Sequence, residues 1–266
     1  MSRSLRSIPV IFSLAILSIM LFHGPVQQFS GYHAFADQSK FLGISHAADV
    51  LSNLGFAVVA LCGMLRLWPL DSYPALHAGR HGYALFLAGL LLTAFGSAYY
   101  HLAPDNARLV WDRLPIALAC AGLLAAVRAE NVDAAHGLRD AILLGVLSVA
   151  GVLWWRFTDL RGAGDLRFYL LFQLLPLILV PLWQAIYRAP ITDRRAFAAA
   201  LLLYVVAKLA EIGDHRIFDA LHFVSGHTLK HLLATAAAAV IVARLVARTS
   251  STNEVARLGA VAPTIN

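Results

Sequence analysis

Charged side chains are scarce in this 266-residue chain, where Asp, Glu, Lys and Arg together make up only 14% of the residues. Soluble globular domains typically carry about 25%, so the shortage excludes an ordinary soluble enzyme. The 18 glycines follow no repeat and 59% of the residues are hydrophobic, which excludes collagen-like and disordered chains. The mean hydropathy of +0.70 instead indicates a membrane protein.

Cysteine is also nearly absent. Cys62 and Cys120 both lie inside apolar runs. We therefore predict two small buried residues rather than a disulfide or a thiolate metal site.

The net charge of +6 is modest, and basic residues on a membrane protein more often set its orientation than bind nucleic acid. We expect no nucleic-acid partner. If eight helices have both ends inside, the inner tails and loops hold 12 basic residues and the outer loops seven. This bias has the sign of the positive-inside rule.

Eight apolar runs separated by turn and charge signals are candidate spans, at about 20 residues per spanning helix. They are residues 8–26, 46–68, 83–102, 114–127, 141–157, 168–187, 196–210 and 222–246. The predicted fold is an all-α polytopic membrane bundle, with a seven-helix core preceded by one N-terminal helix or signal segment.

The first run is ambiguous, because Arg3 and Arg6 precede it and residues 34–36 resemble a signal-peptidase site. Residues 1–30 are thus either a signal anchor or a cleaved signal. Residues 31–248 form the seven-helix membrane domain, and residues 249–266 form a cytoplasmic tail. In both cases residues 31–45 lie on the non-cytoplasmic side.

Ionisable residues within spans cost about 2.5–3.5 kcal/mol at a helix centre and are functional candidates. Ser97 and His101 stand four residues apart near the end of the third run, and His227 and His231 stand four apart at the start of the last run. Each pair shares one helix face. Asp112 opens the fourth run.

Three imidazoles from two helices at one membrane level suit a tetrahedral zinc ion with one open position. That position can hold an activated water. Asp112 is then a candidate general base, and Ser97 a candidate hydrogen-bond donor to the developing oxyanion.

Each residue also has a plainer interpretation. His101 alone is typical of a packing residue, and the H-x-x-x-H pair can bind haem or bridge helices. Asp112 can be a helix N-cap, with Pro115 in the first turn. Ser97 can simply pack helices together. The combination favours a metal site.

The pattern S-x-x-x-H, an Asp eleven residues later and a C-terminal H-x-x-x-H resembles the CREST superfamily of seven-helix membrane hydrolases. That group includes alkaline ceramidases, the progestin and adiponectin receptors and the post-GPI-attachment proteins. The spacings are most similar to those of the alkaline ceramidases, and residues 35–54 resemble the N-terminal stretch of bacterial ceramidase-like members. The resemblance extends across the seven-helix core, from about residue 46 to residue 246, and so covers most of the chain.

This resemblance implies that His101, His227 and His231 hold a catalytic zinc, that Asp112 activates its water and that Ser97 assists at the oxyanion. The implied reaction is hydrolysis of the amide bond of a ceramide-like membrane lipid, which releases a fatty acid and a long-chain amine. The implied location is the bacterial cell membrane, with the site toward the non-cytoplasmic side. The residues alone do not distinguish an amide from an ester.

Alkaline ceramidases also carry a calcium site of N-terminal carboxylates, and Asp37 and Asp49 could fill part of it. The family's cluster of acids around a Trp is absent here, and calcium needs six to eight oxygens. The plainer interpretations are a loop carboxylate for Asp37 and a helix cap for Asp49.

Other polar residues are expected to be structural. Lys208 and Glu211 are three apart and should pair locally. Asp214 and His222 could line a pocket mouth or orient a ligand histidine. Lys230 should point to another face of its helix and carries no predicted chemistry.

Two rival functions remain open. One is a lipid-binding or receptor-type protein on the same scaffold with structural zinc, although the short tail after Val246 favours the enzyme. The other is a bis-histidine haem protein, which would show a visible absorption band.

Overall fold

The computed structural model describes residues 3–261, including the side chains of residues 5–250. The helices in this range are α1 (Arg3–His23), α2 (Ala47–Ser52), α3 (Leu54–Leu67), α4 (Arg80–Leu102), α5 (Asn106–Asn131), α6 (Gly137–Asp159), α7 (Arg167–Ile186), α8 (Ile191–Ile212), α9 (Asp214–Leu221) and α10 (Gly226–Val261). A short antiparallel hairpin of β1 (Lys40–Phe41) and β2 (Ile44–Ser45) precedes α2.

Within the described range, seven helices are long and apolar enough to cross a membrane, or eight if the bent pair of α8 and α9 is one span. The predicted all-α membrane bundle is therefore confirmed. The most hydrophobic window of α5 is 67% buried inside the bundle, whereas that of α1 is only 6% buried. Hence α5 is central and α1 is peripheral, lying against α7.

Two predicted helix starts were wrong. α5 begins at Asn106, eight residues before the predicted start, because the Asp105 carboxylate accepts a hydrogen bond from Arg108 N at 2.7 Å and caps the helix. Asp112 is consequently not an N-cap, and Pro115 lies inside the helix. α10 begins at Gly226 rather than at 222, because His222 has a left-handed conformation that ends α9.

The two cysteines are both free, but Cys62 is exposed on α3 and Cys120 is only partly buried. The prediction that both are buried was therefore wrong for Cys62. Its helix is peripheral enough that this face points away from the bundle.

The segment after α1 and the helix α10 both extend across the predicted domain boundaries. The segment after α1 is tied down where Leu166 N donates to Val26 O at 2.8 Å. Phe35 and Ala36, in the candidate signal-peptidase site, are both buried. α10 continues through the predicted tail as far as Val261, and residues 262–266 lie outside the described range. The domain boundaries at residues 30 and 248 stay predictions.

α4 and α5 approach to backbone contact. Three glycines at seven-residue intervals on α4 face α5, namely Gly82, Gly89 and Gly96. A Cβ at Gly89 would lie 2.6 Å from Ala119 N, and one at Gly96 would lie 2.0 Å from Trp111 O. Pro115 lacks the amide hydrogen that would otherwise bond Trp111 O within the helix. The glycines thus set how closely His101 and Asp112 can approach.

We expect Gly89→Ala to destabilise the bundle by about 1–3 kcal/mol, because the added methyl overpacks a backbone contact. The measurement is thermal unfolding of the purified protein in detergent. Gly145→Ala is the matched control, since its Cβ would come no closer than 3.4 Å to Leu85 Cδ2. Equal unfolding temperatures for the two variants would contradict the contact.

Candidate metal centre

Three histidines from α4 and α10 meet in the interior of the bundle. His101, His227 and His231 are all buried, and each offers one nitrogen such that the three atoms lie within 4.8 Å of one another. Their ring centroids form a nearly equilateral triangle with sides of 4.7, 4.8 and 5.0 Å. The group could therefore hold a metal ion, as the sequence predicted.

The nitrogen positions suit shared coordination. His101 Nε2 and His227 Nε2 are 3.2 Å apart. Two nitrogens bound to one tetrahedral zinc would lie about 3.3 Å apart, since each Zn–N bond is about 2.0–2.1 Å. His101 Nδ1 and His231 Nε2 are buried and have no hydrogen-bond partner among the described residues. A cation bound by His101 Nε2 and His227 Nε2 would also satisfy the buried His231 Nε2.

His231 is oriented by a serine of α2. The Ser52 hydroxyl donates to Asp49 O at 2.9 Å, so its oxygen can accept from His231 Nδ1, which lies 2.8 Å away. With the ring proton on Nδ1, the Nε2 lone pair would be available to a metal. A hydrogen bond of this type fixes both the tautomer and the orientation of a ligand histidine.

The break between α2 and α3 lies directly beside the contact between Ser52 and His231. Asn53 is buried between the two helices and donates through Nδ2 to Asp49 O at 2.8 Å. The Asp49 carboxylate accepts hydrogen bonds from Thr228 Oγ1 at 2.6 Å and from Ser225 Oγ at 3.2 Å. These bonds join the start of α2 to the start of α10, beside the histidines.

Asp214 positions His227 through the backbone. Its Oδ1 accepts from His227 N at 2.8 Å, and its Oδ2 accepts from Ala36 N at 2.9 Å. Gly226 allows this approach, since a Cβ there would lie 2.2 Å from Ala210 O. The residue thus orients the ligand helix rather than the imidazole ring. His222 is exposed at the end of α9.

Phe35 covers the histidines from the N-terminal segment. Its ring centroid lies 4.7 Å from that of His101 and 4.5 Å from that of His227. The same segment is held by His33, whose ring nitrogens lie 2.8 Å from Tyr100 OH and from Asn106 Oδ1. An apolar ring therefore shields two of the candidate ligands.

A cavity adjoins the histidines. Ser97, Asp112 and His231 line it at the end near the candidate metal centre. Its remaining walls are mostly apolar and include Leu123 and Ile241. The structure thus brings Ser97 of α4, Asp112 of α5 and His231 of α10 to one cavity.

Two of the polar side chains that line this cavity have a buried oxygen that is not hydrogen-bonded to any described residue. Ser97 Oγ and Asp112 Oδ1 are buried without a hydrogen-bond partner among the described residues. Helical hydroxyls commonly donate to a preceding carbonyl, and nearby Thr93 does so to Gly89 O at 2.8 Å. Ser97 departs from that behaviour, which separates it from a helix-packing residue.

The residues considered for calcium have other contacts. Asp37 accepts from Ser39 N at 2.9 Å and from Asp49 N at 3.0 Å, and so caps the start of α2. Asp49 is itself buried and bonded to α10. Among the side chains that the structure describes, only the histidine trio forms a group of three or more potential metal ligands. Calcium at Asp37 and Asp49 stays a prediction.

The expectation that Lys230 points away from the histidines was wrong. Its ammonium lies 3.0 Å from His227 Nε2 and donates to Glu211 Oε1 at 2.9 Å. Residues three apart on a helix are neighbours, and the long side chain spans the remaining gap. The predicted local pair is present, with Lys208 Nζ 2.7 Å from Glu211 Oε2.

The fold and the site together define a polytopic helical membrane protein with a buried three-histidine candidate metal centre. No family model matches the chain, and no curated protein matches its sequence.

We expect the full-length protein to bind about one zinc ion per chain and His101→Ala to abolish tight binding, because two imidazoles are weaker chelators than three. Elemental analysis after gel filtration measures the stoichiometry. Exposed His77 provides the control as His77→Ala, which should bind metal normally. Unchanged metal content in His101→Ala would contradict the site.

Ser52→Ala should weaken metal affinity by about 10–100-fold without abolishing binding, since His231 would lose the acceptor for its Nδ1 proton. Competition against a chelator of known affinity measures the change. Ser148→Ala is the matched control, because Ser148 is buried but donates within its own helix to Gly145 O. Equal affinities in the two variants would show that Ser52 does not orient the ligand.

Proposed function

We propose that this protein is a zinc-dependent intramembrane hydrolase of the CREST superfamily, which cleaves the amide bond of a ceramide-like lipid. The single observation that carries the proposal is the meeting of three imidazoles beside a largely apolar cavity that Ser97 and Asp112 also line. A metal centre next to apolar walls suits a substrate with a polar bond attached to a long chain.

The dimensions of the cavity support an acyl-chain site. Ile241 lies ten residues beyond His231, and Leu123 lies eleven beyond Asp112, which corresponds to about 15 Å along each helix. Both residues line the cavity. The reacting groups would therefore sit at one end, with the hydrocarbon chain extending toward the other.

The histidine geometry favours a catalytic metal over the alternatives. Structural zinc sites usually have four protein ligands, whereas catalytic sites have three and keep one open position. The trio supplies three. A bis-histidine haem needs its two imidazoles on opposite faces of a porphyrin, and rings whose centroids are only 4.7–5.0 Å apart leave no room for one.

A bound zinc ion would polarise the substrate carbonyl and activate a water molecule. The Asp112 carboxylate would then take a proton as water adds to the acyl carbon, and deliver it to the leaving nitrogen as the C–N bond breaks. The Ser97 hydroxyl would donate to the oxygen that gains negative charge. The products are a carboxylic acid and an amine, or a carboxylate and an ammonium after proton transfer between them, so atoms and charge balance.

We also propose that the site lies toward the non-cytoplasmic side of the bacterial cell membrane. The support is the charge bias of the loops, combined with the common position of His101, Asp112 and His227 at one end of the bundle.

Asp112→Asn should retain zinc yet lower kcat by about 10²–10⁴-fold, because the amide cannot accept the proton. The measurement is release of fatty acid from a synthetic N-acyl lipid in detergent, with metal content determined in parallel. Asp219→Asn, at an exposed residue of α9, should behave as wild type.

Ser97→Ala should lower kcat by about 10²–10³-fold in the same assay, because the developing oxyanion would lose a hydrogen-bond donor. Ser148→Ala is the control and should behave as wild type.

The decisive experiment compares membranes containing the wild type with membranes containing His231→Ala, by lipidomics. We expect an N-acyl lipid to decline and its amine product to accumulate only with the wild type. A purified protein that binds zinc but alters no lipid would overturn the enzyme and favour the lipid-binding alternative. A protein without metal would overturn both.

A further inference from the structure

Lysine is rare in this chain, and its positions are uneven. The sequence contains three lysines, Lys40, Lys208 and Lys230. Lys40 is exposed on β1, whereas Lys208 and Lys230 both line the cavity beside the candidate metal centre. Neither cavity lysine has a part in the hydrolysis proposed above.

The two cavity lysines form a continuous polar chain that begins at the metal centre. Lys230 Nζ lies 3.0 Å from His227 Nε2 and 2.9 Å from Glu211 Oε1. Glu211 Oε2 in turn lies 2.7 Å from Lys208 Nζ. Glu211 and Lys208 occupy the last two turns of α8, so the chain extends from α10 across to the neighbouring helix.

The charges of Lys208, Lys230 and Glu211 do not cancel. Two ammonium groups share the single carboxylate of Glu211. Uncompensated charge is costly in an interior of low dielectric constant, and the divalent cation of the proposed enzyme would add to the positive excess. Asp112 is the other carboxylate among the lining residues, and the proposed reaction uses it as a base. Among the described side chains, Lys208 therefore has no carboxylate partner other than the one that it shares with Lys230.

The side-chain exposures indicate where an anion would enter. The side chain of Lys230 is 12% exposed, whereas that of Lys208 is 39% exposed. Lys208 is thus the ammonium that a ligand can reach more readily. A carboxylate or phosphate beside Lys208 would accept a charge-assisted hydrogen bond.

A neutral ceramide headgroup would offer Lys208 no anion beyond the shared carboxylate of Glu211. We propose that Lys208, held by Glu211, forms a binding subsite for a single anionic group, a carboxylate or a phosphate, on the amine-bearing part of the lipid. The substrate class is then an anionic N-acyl lipid. This inference rests on the proposed function, in that the bond cleaved belongs to the same molecule.

Binding of non-hydrolysable lipids tests the subsite apart from catalysis. Four probes share a hexadecylsulfonyl tail on nitrogen: the glycine carboxylate, its neutral glycinamide, the ethanolamine phosphate and the neutral ethanolamine. Radiolabelled probes are titrated against zinc-loaded full-length protein in phosphatidylcholine nanodiscs. Comparison of the carboxylate and phosphate arms identifies the anion.

We expect at least one anionic probe to bind about tenfold more tightly than its neutral partner. Lys208→Gln should remove that preference while leaving the affinity for the neutral probe unchanged, and Lys208→Met repeats the test with an apolar side chain. Glu211→Gln should strengthen anion binding, because it removes the competing carboxylate. Lys40→Gln should match the wild type.

Several outcomes would overturn the subsite. These are equal binding of charged and neutral probes by the wild type, a preference retained in both Lys208 variants, and a Glu211→Gln variant that binds all probes more weakly. Hydrolysis of neutral ceramide without any charge preference would refute the subsite alone. A charge preference in a protein that hydrolyses no N-acyl lipid would refute the proposed enzyme and leave the subsite standing.

Discussion

The contact between the backbones of α4 and α5 is the constraint on which the rest of the site depends. With hydrogen in place of side chains at Gly89 and Gly96, the helices approach more closely than any larger residue permits. Within a membrane, such close packing provides much of what holds helices together, because lipid is as apolar as the side chains. The same approach fixes α4, which carries a candidate ligand, beside α5, which carries the candidate base.

Each candidate ligand is held by a different part of the chain. Ser52 on α2 orients the His231 ring, and Asp214 at the start of α9 fixes the backbone at His227. The N-terminal segment supplies Phe35 against His101. Polar groups buried in a bundle need partners, and here those partners come from distant positions in the sequence. The histidine trio is thus the point at which the separate elements are joined.

The sequence was sufficient to predict the membrane bundle and the histidine trio, because hydropathy and i, i+4 spacing are local signals. It could not show that Asp105 caps the start of α5. Because the helix begins there, Asp112 is not a helix cap and instead lines the cavity. Contacts between distant segments, such as Ser52 with His231, leave no local pattern. Lys230 was misjudged because a flexible side chain can reach back toward its neighbour three residues earlier.

The order in which the ribosome delivers these elements has a consequence for assembly. His101 leaves the ribosome in the first half of the chain, whereas its partner His227 follows 126 residues later. The hairpin of α4 and α5 can insert and pack as soon as it is made, but the triangle of imidazoles stays open until α10 arrives. A chain that stops before α10 lacks two of the three histidines. A bound ion would therefore indicate that synthesis had passed α10.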